Sequence, residues 1–570
     1  MRRRAILAAA ALTPAASLAG GFGPALAAPR PTGGGADGRL VYGTPEQAGL
    51  LPRYVARLRP AVESGLRPSP ERPLYPGAVV LAARNGVIVE HAAVGDALRY
   101  ASSTGEELPP EQRIPMRPDT IFDVASLSKL FTAVVAMQQV ERGRLDLDAP
   151  VARYIPAFAA GGKQDVTVRQ LMTHTAGLPA GLSLDPYPTR EERLAAVFAV
   201  DLRYEPGTQY LYSDLSFIVV GAIVEQLTGQ RLDEVVRAGV VEPLGLRDTM
   251  HNPPAELRPR IAPTEWQEGG RGLIWGEVHD RTSWLLGGTA GHAGVFSTAW
   301  DLAVFAQTIL NGGRYGHARI LRPETVAEML TNGNPHLGPG AERGLGFQLA
   351  QYSYMGAMRT PDTYGHTGFT GTSLVVDPAT RSFVILLSNR VHPTRAWSEL
   401  GGIRRTVANE LARAVPVRPL DGREAWFSGM RDASEARLTL PVPPAATPRR
   451  LSFAYWWDTE ADYDVAYVET STDGVTWTPL SLRLHGPGGR WDSDGTVSGY
   501  QGRRWYVARA VLPADARWVR WRYSTDAAYV GRGVYVDRVR ITAAEGVLFD
   551  ERRPADDARW LPDGFAKSAD

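Results

Sequence analysis

Between residues 126 and 142 the apolar side chains Leu127, Leu130, Phe131, Val134, Val135 and Val140 recur at helical intervals, and Gly143 ends the run. Residues 215–227 repeat the pattern and close on Gly229. Residues 301–310 carry Leu302, Phe305, Ala306 and Ile309 on one side, ahead of Gly312-Gly313. Thr167-Val-Arg-Gln170 and Thr189-Arg-Glu-Glu192 have the capping-box spacing that opens two more helices. Strand-like runs flank this helical region. Residues 76–86 and 87–91 predict a hairpin turning at Asn85-Gly86, and residues 346–349, 373–376 and 383–387 read as later strands. Strands at both ends of a helical stretch predict an α/β (α+β) domain over residues 29–418. Its antiparallel sheet would join the two ends of the domain around an all-helical insertion.

Past residue 418 the helical period stops. Short alternating strands are predicted at 451–456, 465–469, 506–511, 518–523 and 534–541, and nine of the 14 tryptophans lie beyond residue 420. That pattern predicts a separate jelly-roll-like β-sandwich over 419–550. Residues 551–570, charged and proline-containing, read as a loose tail.

Composition narrows the function. The 570 residues carry a net charge of +1 with no basic block, which argues against nucleic acid as a partner. There is no cysteine, so disulfides, thiol catalysis and Cys-ligated zinc are excluded. Arg2-Arg3-Arg4, the apolar run 5–12 and Ala25-Leu26-Ala27 resemble an export signal of the twin-arginine type over residues 1–28. Pro14, Gly20, Gly21 and Pro24 interrupt that run too early for a good spanning helix, and no later stretch is long enough for a stable membrane span. The expected location is secreted, or the periplasmic or cell-wall space.

Of the 62 basic residues only Lys129, Lys163 and Lys567 are lysines, leaving 62 − 3 = 59 arginines. Arginine holds its proton near neutral pH, whereas a buried lysine can release one. Lys129 stands three residues after Ser126, on one helical face, so a hydroxyl is placed beside an amine: a nucleophile beside its base. Ser-x-x-Lys also arises by chance, and other segments must support it. Tyr210-Leu-Tyr212-Ser-Asp214 precedes a helix and offers a phenol for proton relay, or else a core tyrosine. Tyr364-Gly-His-Thr-Gly-Phe-Thr-Gly371 precedes a strand, where glycines admit a substrate backbone and an N–H can face an oxyanion.

In this order the motifs resemble the serine β-lactamase and penicillin-binding protein superfamily. The segments 119–126, Leu171-Met-Thr-His-Thr-Ala-Gly-Leu178 and Pro206-Gly-Thr208 are similar to its class C-like esterase and D-aminopeptidase branch. The resemblance spans residues 40–412. It implies Ser126 as the acylated nucleophile, Lys129 as its base and Tyr212 as a shared base and proton shuttle. It also implies that Asp214, where the family usually has Asn, orients Lys129, that His366 and Gly368 border the substrate, and that the amides of Ser126 and Phe369 form the oxyanion hole. His366 replaces a lysine and Asp214 adds negative charge, so an ester or peptide amide is expected over a penicillin. Segments 276–280, 286–294, 371–378 and 389–394 resemble a subgroup that includes N-acetylmuramyl-L-alanine amidases. The implied partner is a small-molecule or peptidoglycan-fragment substrate. His279 and His292 either line the cleft or brace loops, and His174 reads as structural. No cofactor and no catalytic metal are implied, since His279, His292, His366 and His392 lack ligand-like spacing.

Residues 464–469, 471–477 and 531–537 resemble the β-sandwich of immune-inhibitor-type secreted peptidases. Such modules imply carbohydrate contact, although Trp456, Trp477 and Trp521 also suit a core. Asp464, Asp473 and Asp537 are candidate ligands of a structural Ca²⁺. The readings in competition are therefore an exported serine hydrolase, a β-lactamase or DD-peptidase, and a non-catalytic wall-binding protein.

Overall fold

The computed structural model describes residues 37–68, 71–267, 270–487 and 489–570, so the expected export signal lies outside the described residues. Its central sheet comprises β1 (Val41–Tyr42), β2 (Gly77–Arg84), β3 (Val87–Leu98), β4 (Ile114–Pro115), β5 (Gln348–Leu349), β6 (Tyr364–Thr367), β7 (Ser373–Asp377) and β8 (Ser382–Ser388). The order is β1-β3-β2-β8-β7-β6-β5, with β4 paired to β3. β1 runs parallel to β3, and the other pairs are antiparallel. The two ends of the domain meet where Val79 opposes Leu387 and Leu81 opposes Ile385. Asn85 and Gly86 adopt φ of 54° and 78°, the left-handed pair that a tight I′ hairpin requires.

Both faces of β2 are buried, which explains its unbroken apolar run. Val79, Leu81 and Ala83 pack into the helical region, which includes α1 (Ser128–Glu141), α2 (Asp214–Thr228) and α3 (Ala299–Leu310). Ala78, Val80 and Ala82 face Val407 and Leu411 of α4 (Gly401–Ala414) on the other side. Both expected capping boxes form, at Thr167/Gln170 and Thr189/Glu192. Gly229 closes α2 at φ 68°.

The C-terminal region is all β. One sheet runs 489–493, 482–486, 506–511, 450–458, 533–543, 425–427, 566–568, and the other runs 478–479, 465–471, 518–524, 435–441, 561–563. Trp456, Trp457 and Trp521 are buried, whereas Trp477 is half-buried beneath Arg520. Most of these indoles are core. Residues 551–570, expected as a loose tail, instead supply strands 561–563 and 566–568 to the two sheets and bury Trp560 and Phe565. Two aromatic anchors outweigh the local charge.

The sandwich seats on the α4 side of the hydrolase sheet. Phe427, Trp456 and Tyr535 join the same apolar cluster as Val407 and Leu411. Arg503 spans the seam, donating to Asp377 at 2.8 Å, to Asp458 at 2.7 Å and to the Ala357 carbonyl. Asp570 closes it by pairing with Arg53 and accepting from Tyr54.

Candidate active site

Ser126 sits just ahead of α1, in a one-turn 3₁₀ segment over Ala125–Leu127. The expected helix therefore starts at Ser128 rather than at Ser126. Ala125 is held at φ 48°, a conformation costly for a residue with a Cβ. The buried Asp123 carboxylate holds it there, accepting from Ala125 N at 2.9 Å and from His279 N at 2.7 Å. The tight turn leaves Ser126 partly exposed above a fully buried Lys129.

Lys129 Nζ donates to Ser126 Oγ at 3.0 Å, to Asp214 Oδ1 at 2.8 Å and to the His292 carbonyl at 3.2 Å. Burial pulls the amine's pKa down, but the Asp214 carboxylate, with the Tyr212 phenol, outweighs it, and the net direction is up. This differs from the expectation of a depressed, readily titrating lysine. In the resting site Lys129 is an ammonium with all three hydrogens engaged.

Tyr212 lies beside it, its ring centroid 4.8 Å from Nζ. His174 backs Tyr212 with ring centroids 4.6 Å apart, and its Nδ1 accepts from Ser213 N, so it is structural as expected. His366 Nδ1 meets the Thr367 carbonyl at 2.7 Å and therefore carries the proton. Its Nε2, buried without a partner, is left as an acceptor. Burial, Arg343 and Lys129 hold its pKa well below the ordinary imidazole value.

The loop after β6 closes the cleft. Gly368 N bonds the Thr372 carbonyl, Thr370 Oγ1 bonds the Asp123 carbonyl and Thr372 Oγ1 bonds that of Val124. A Cβ on Gly368 would stand 2.1 Å from Thr372 Oγ1 and 2.5 Å from the Val124 carbonyl, so only glycine allows the loop this near the Ser126 turn. Phe369 projects from its tip, half exposed, with Arg390 and Arg395 over its ring.

Ser126, Tyr212, His366, Thr367, Gly368 and Phe369 line one cavity of about 420 Å³. Asp214 and Lys129 form the floor beneath Ser126. The two candidate cleft histidines act from behind the wall. His279 stacks on Phe369 and bonds Glu265, while His292 reaches Lys129 through its carbonyl and points its Nε2 at Asp280, 2.8 Å away. The candidate Ca²⁺ ligands do not converge: Asp473 caps a turn at Val475 and Thr476, and Asp537 accepts from Leu420 and Asp421.

Sequence reasoning missed Asp123 and the guanidinium groups of Arg343, Arg390 and Arg404, which line the same cavity opposite a single carboxylate, Glu399. Asp123 had a local signal, three residues before Ser126. The arginines had none, being three among 59. They also remove the objection to anionic ligands, because Asp214 is neutralised by Lys129 and the wall is net positive.

A strained turn presenting Ser126 over a buried lysine, with a tyrosine and a glycine-gated strand edge opposite, defines a serine acyl-hydrolase site. Residues 64–408 match the beta-lactamase family model, and the chain belongs to that family. It is 34% identical over 355 residues to an Escherichia coli (strain K12) protein named "Putative D-alanyl-D-alanine carboxypeptidase", covering 56% of this chain and 79% of that one. A Salmonella enteritidis protein of the same name is 32% identical over 390 residues, covering 62% and 86%. Two solved structures share the fold at TM-score 0.50: a penicillin-binding protein homolog from Caulobacter crescentus and a family VIII carboxylesterase. Their identities are 22% and 23%, and each match covers 64% of this chain and 99% of the other.

Proposed function

We propose that the chain is an exported serine hydrolase that forms an acyl-enzyme at Ser126 on peptides ending in a free carboxylate, such as cell-wall peptides with a C-terminal D-amino acid. The observation that carries this reading is the set Arg343, Arg390 and Arg404 around the cavity that holds Ser126. Guanidinium groups pair with carboxylates in a planar, two-pronged geometry. The relatives named as D-alanyl-D-alanine carboxypeptidases support the same substrate class. Export rests on the signal-like pattern of residues 1–28.

In this reading Ser126 Oγ attacks the carbonyl carbon as its proton passes to Tyr212. Tyr212 lies against the Lys129 ammonium, and Asp214 keeps that ammonium charged and in place. The amides of Ser126 and Phe369 receive the oxyanion. Collapse breaks the C–N bond, and the leaving amine takes the proton back from Tyr212. Water then repeats the cycle, with Tyr212 as its base, and frees Ser126. His366 Nε2 accepts a substrate N–H.

The test compares a D-alanyl-D-alanine peptide, its C-terminal amide, a muramyl-peptide, a chromogenic ester and a cephalosporin on wild type and Ser126→Ala. The free carboxylate is expected to be preferred over the amide by about tenfold or more, the worth of one charge-assisted pair. Equal turnover of the two would overturn the substrate assignment. Preferential cleavage of the muramyl–peptide bond would favour the amidase reading in its place.

A further inference from the structure

The β-sandwich contains an acidic trio outside the hydrolase site. Glu460 and Asp464 lie in the segment between strands Arg450–Asp458 and Val465–Ser471, and Asp526 lies in the loop after Trp518–Ser524. One carboxylate oxygen from each falls within 4.8 Å of the others. Oxygens on opposite sides of a Ca²⁺, each about 2.4 Å from it, are about this far apart.

The partners of these groups separate the trio from an ordinary solvated acidic patch. Asp464 is fully buried, and its two oxygens each take one bond, from Asp526 N at 3.1 Å and from Tyr523 OH at 3.2 Å. Glu460 is 6% exposed, yet its Oε2 is buried without any partner. A buried carboxylate oxygen without a hydrogen-bond partner, in a group beside two further carboxylates, is a costly arrangement for a fold to hold. The charges around Glu460 are mostly of its own sign: Asp526, Asp464 and Asp432, against Arg359.

We propose that Glu460, Asp464 and Asp526 bind a hard divalent cation of the Ca²⁺ class. The ion ties the 459–464 segment to the loop that carries Asp526. Both loops also touch the hydrolase domain at one place. The Ala461 backbone bonds the Tyr352 hydroxyl, and Tyr529 packs on the Tyr352 ring at 5.7 Å. The cation therefore stiffens the seam between sandwich and hydrolase, as well as the sandwich itself.

The test uses the full-length protein, stripped with a chelator and desalted. Tb³⁺ is expected to luminesce on excitation of tyrosine, because Tyr523 is bonded to a ligand, and Ca²⁺ should displace it. Millimolar Ca²⁺ should raise Tm by several degrees. Glu460→Gln and Asp526→Asn should each weaken Ca²⁺ at least about tenfold, since affinity follows ligand charge. Asp526 is exposed, so its variant folds even if a substitution at Glu460 does not. The Tm of Glu460→Gln without cation should equal or exceed that of stripped wild type. No sensitised emission and no Ca²⁺-dependent Tm shift in wild type would overturn the proposal. So would an undiminished response in Asp526→Asn.

Discussion

Lys129 Nζ and Asp214 Oδ1 stand 2.8 Å apart beneath Ser126, and this pair decides which proton state the site starts from. Alone, burial would drive the amine toward neutrality; opposite a carboxylate it remains charged. A raised folded pKa means the pair stabilises the fold fully below the unfolded lysine value, and loses that contribution only as pH climbs through the folded one. Asp214→Asn removes the raising partner and leaves burial unopposed. The high-pH limb of kcat/KM is expected to move to lower pH in this variant, with the low-pH limb kept. An unchanged upper limb would show that Lys129 does not sense Asp214.

Tyr212 carries the proton in the proposed cycle. Tyr212→Phe keeps the ring beside His174 and Lys129 and removes only the hydroxyl. A loss of about 10²- to 10⁴-fold in kcat is expected, with KM little changed, as for removal of a general acid–base group. A drop confined to KM would assign the phenol to binding.

His366 should remain neutral throughout the working range. Burial, Arg343 and Lys129 all lower its pKa, and the Thr367 carbonyl fixes the proton on Nδ1. Long-range ¹H–¹⁵N spectra at pH 6 are expected to show the Nδ1–H tautomer. A titration midpoint near the ordinary imidazole value would contradict this electrostatic account.

Arg343→Ala tests the carboxylate subsite. KM for a substrate with a free C-terminal carboxylate should rise about tenfold or more, while its C-terminal amide should be affected far less. Arg343 also bonds Tyr210, so both substrates will share a background loss. The difference between them is the readout.

Arg503 holds sandwich and hydrolase together. Truncation to Ala strands Asp377 and Asp458, both buried, without their guanidinium. Removing one side of such a buried network costs about 3–5 kcal/mol. Calorimetry should show a lower Tm, with the two regions separating into distinct transitions. A single unshifted transition would mean that the apolar contact around Phe427 and Trp456 suffices.

The helices and the sheet were legible because their signals are local and periodic. The hairpin at Asn85-Gly86, both capping boxes, and the pairing of the two domain ends all follow from spacing and turn chemistry. Ser126, Lys129, Tyr212 and His366 were legible because each sits in a short motif, and the structure brings them to one cavity or its floor. What stayed hidden depends on which distant groups meet. The resemblance placed Asp214 against Lys129, but nothing local reveals that its charge, 85 positions on, outweighs the effect of burial. Nothing distinguishes Arg343 or Arg404 from the other arginines until the sheet brings them to Ser126. The last twenty residues misled for the same reason: their charges are local, but Trp560 and Phe565 find partners more than a hundred residues upstream.

The central claim is a covalent acyl-enzyme on Ser126, and intact-mass spectrometry on quenched turnover tests it most directly. Wild-type protein mixed with a slowly turned-over depsipeptide ester bearing a free carboxylate should gain the mass of the acyl group. Peptide mapping should place that mass on Ser126, and Ser126→Ala should gain none. Turnover with no adduct on Ser126, or the same adduct in Ser126→Ala, would contradict the account.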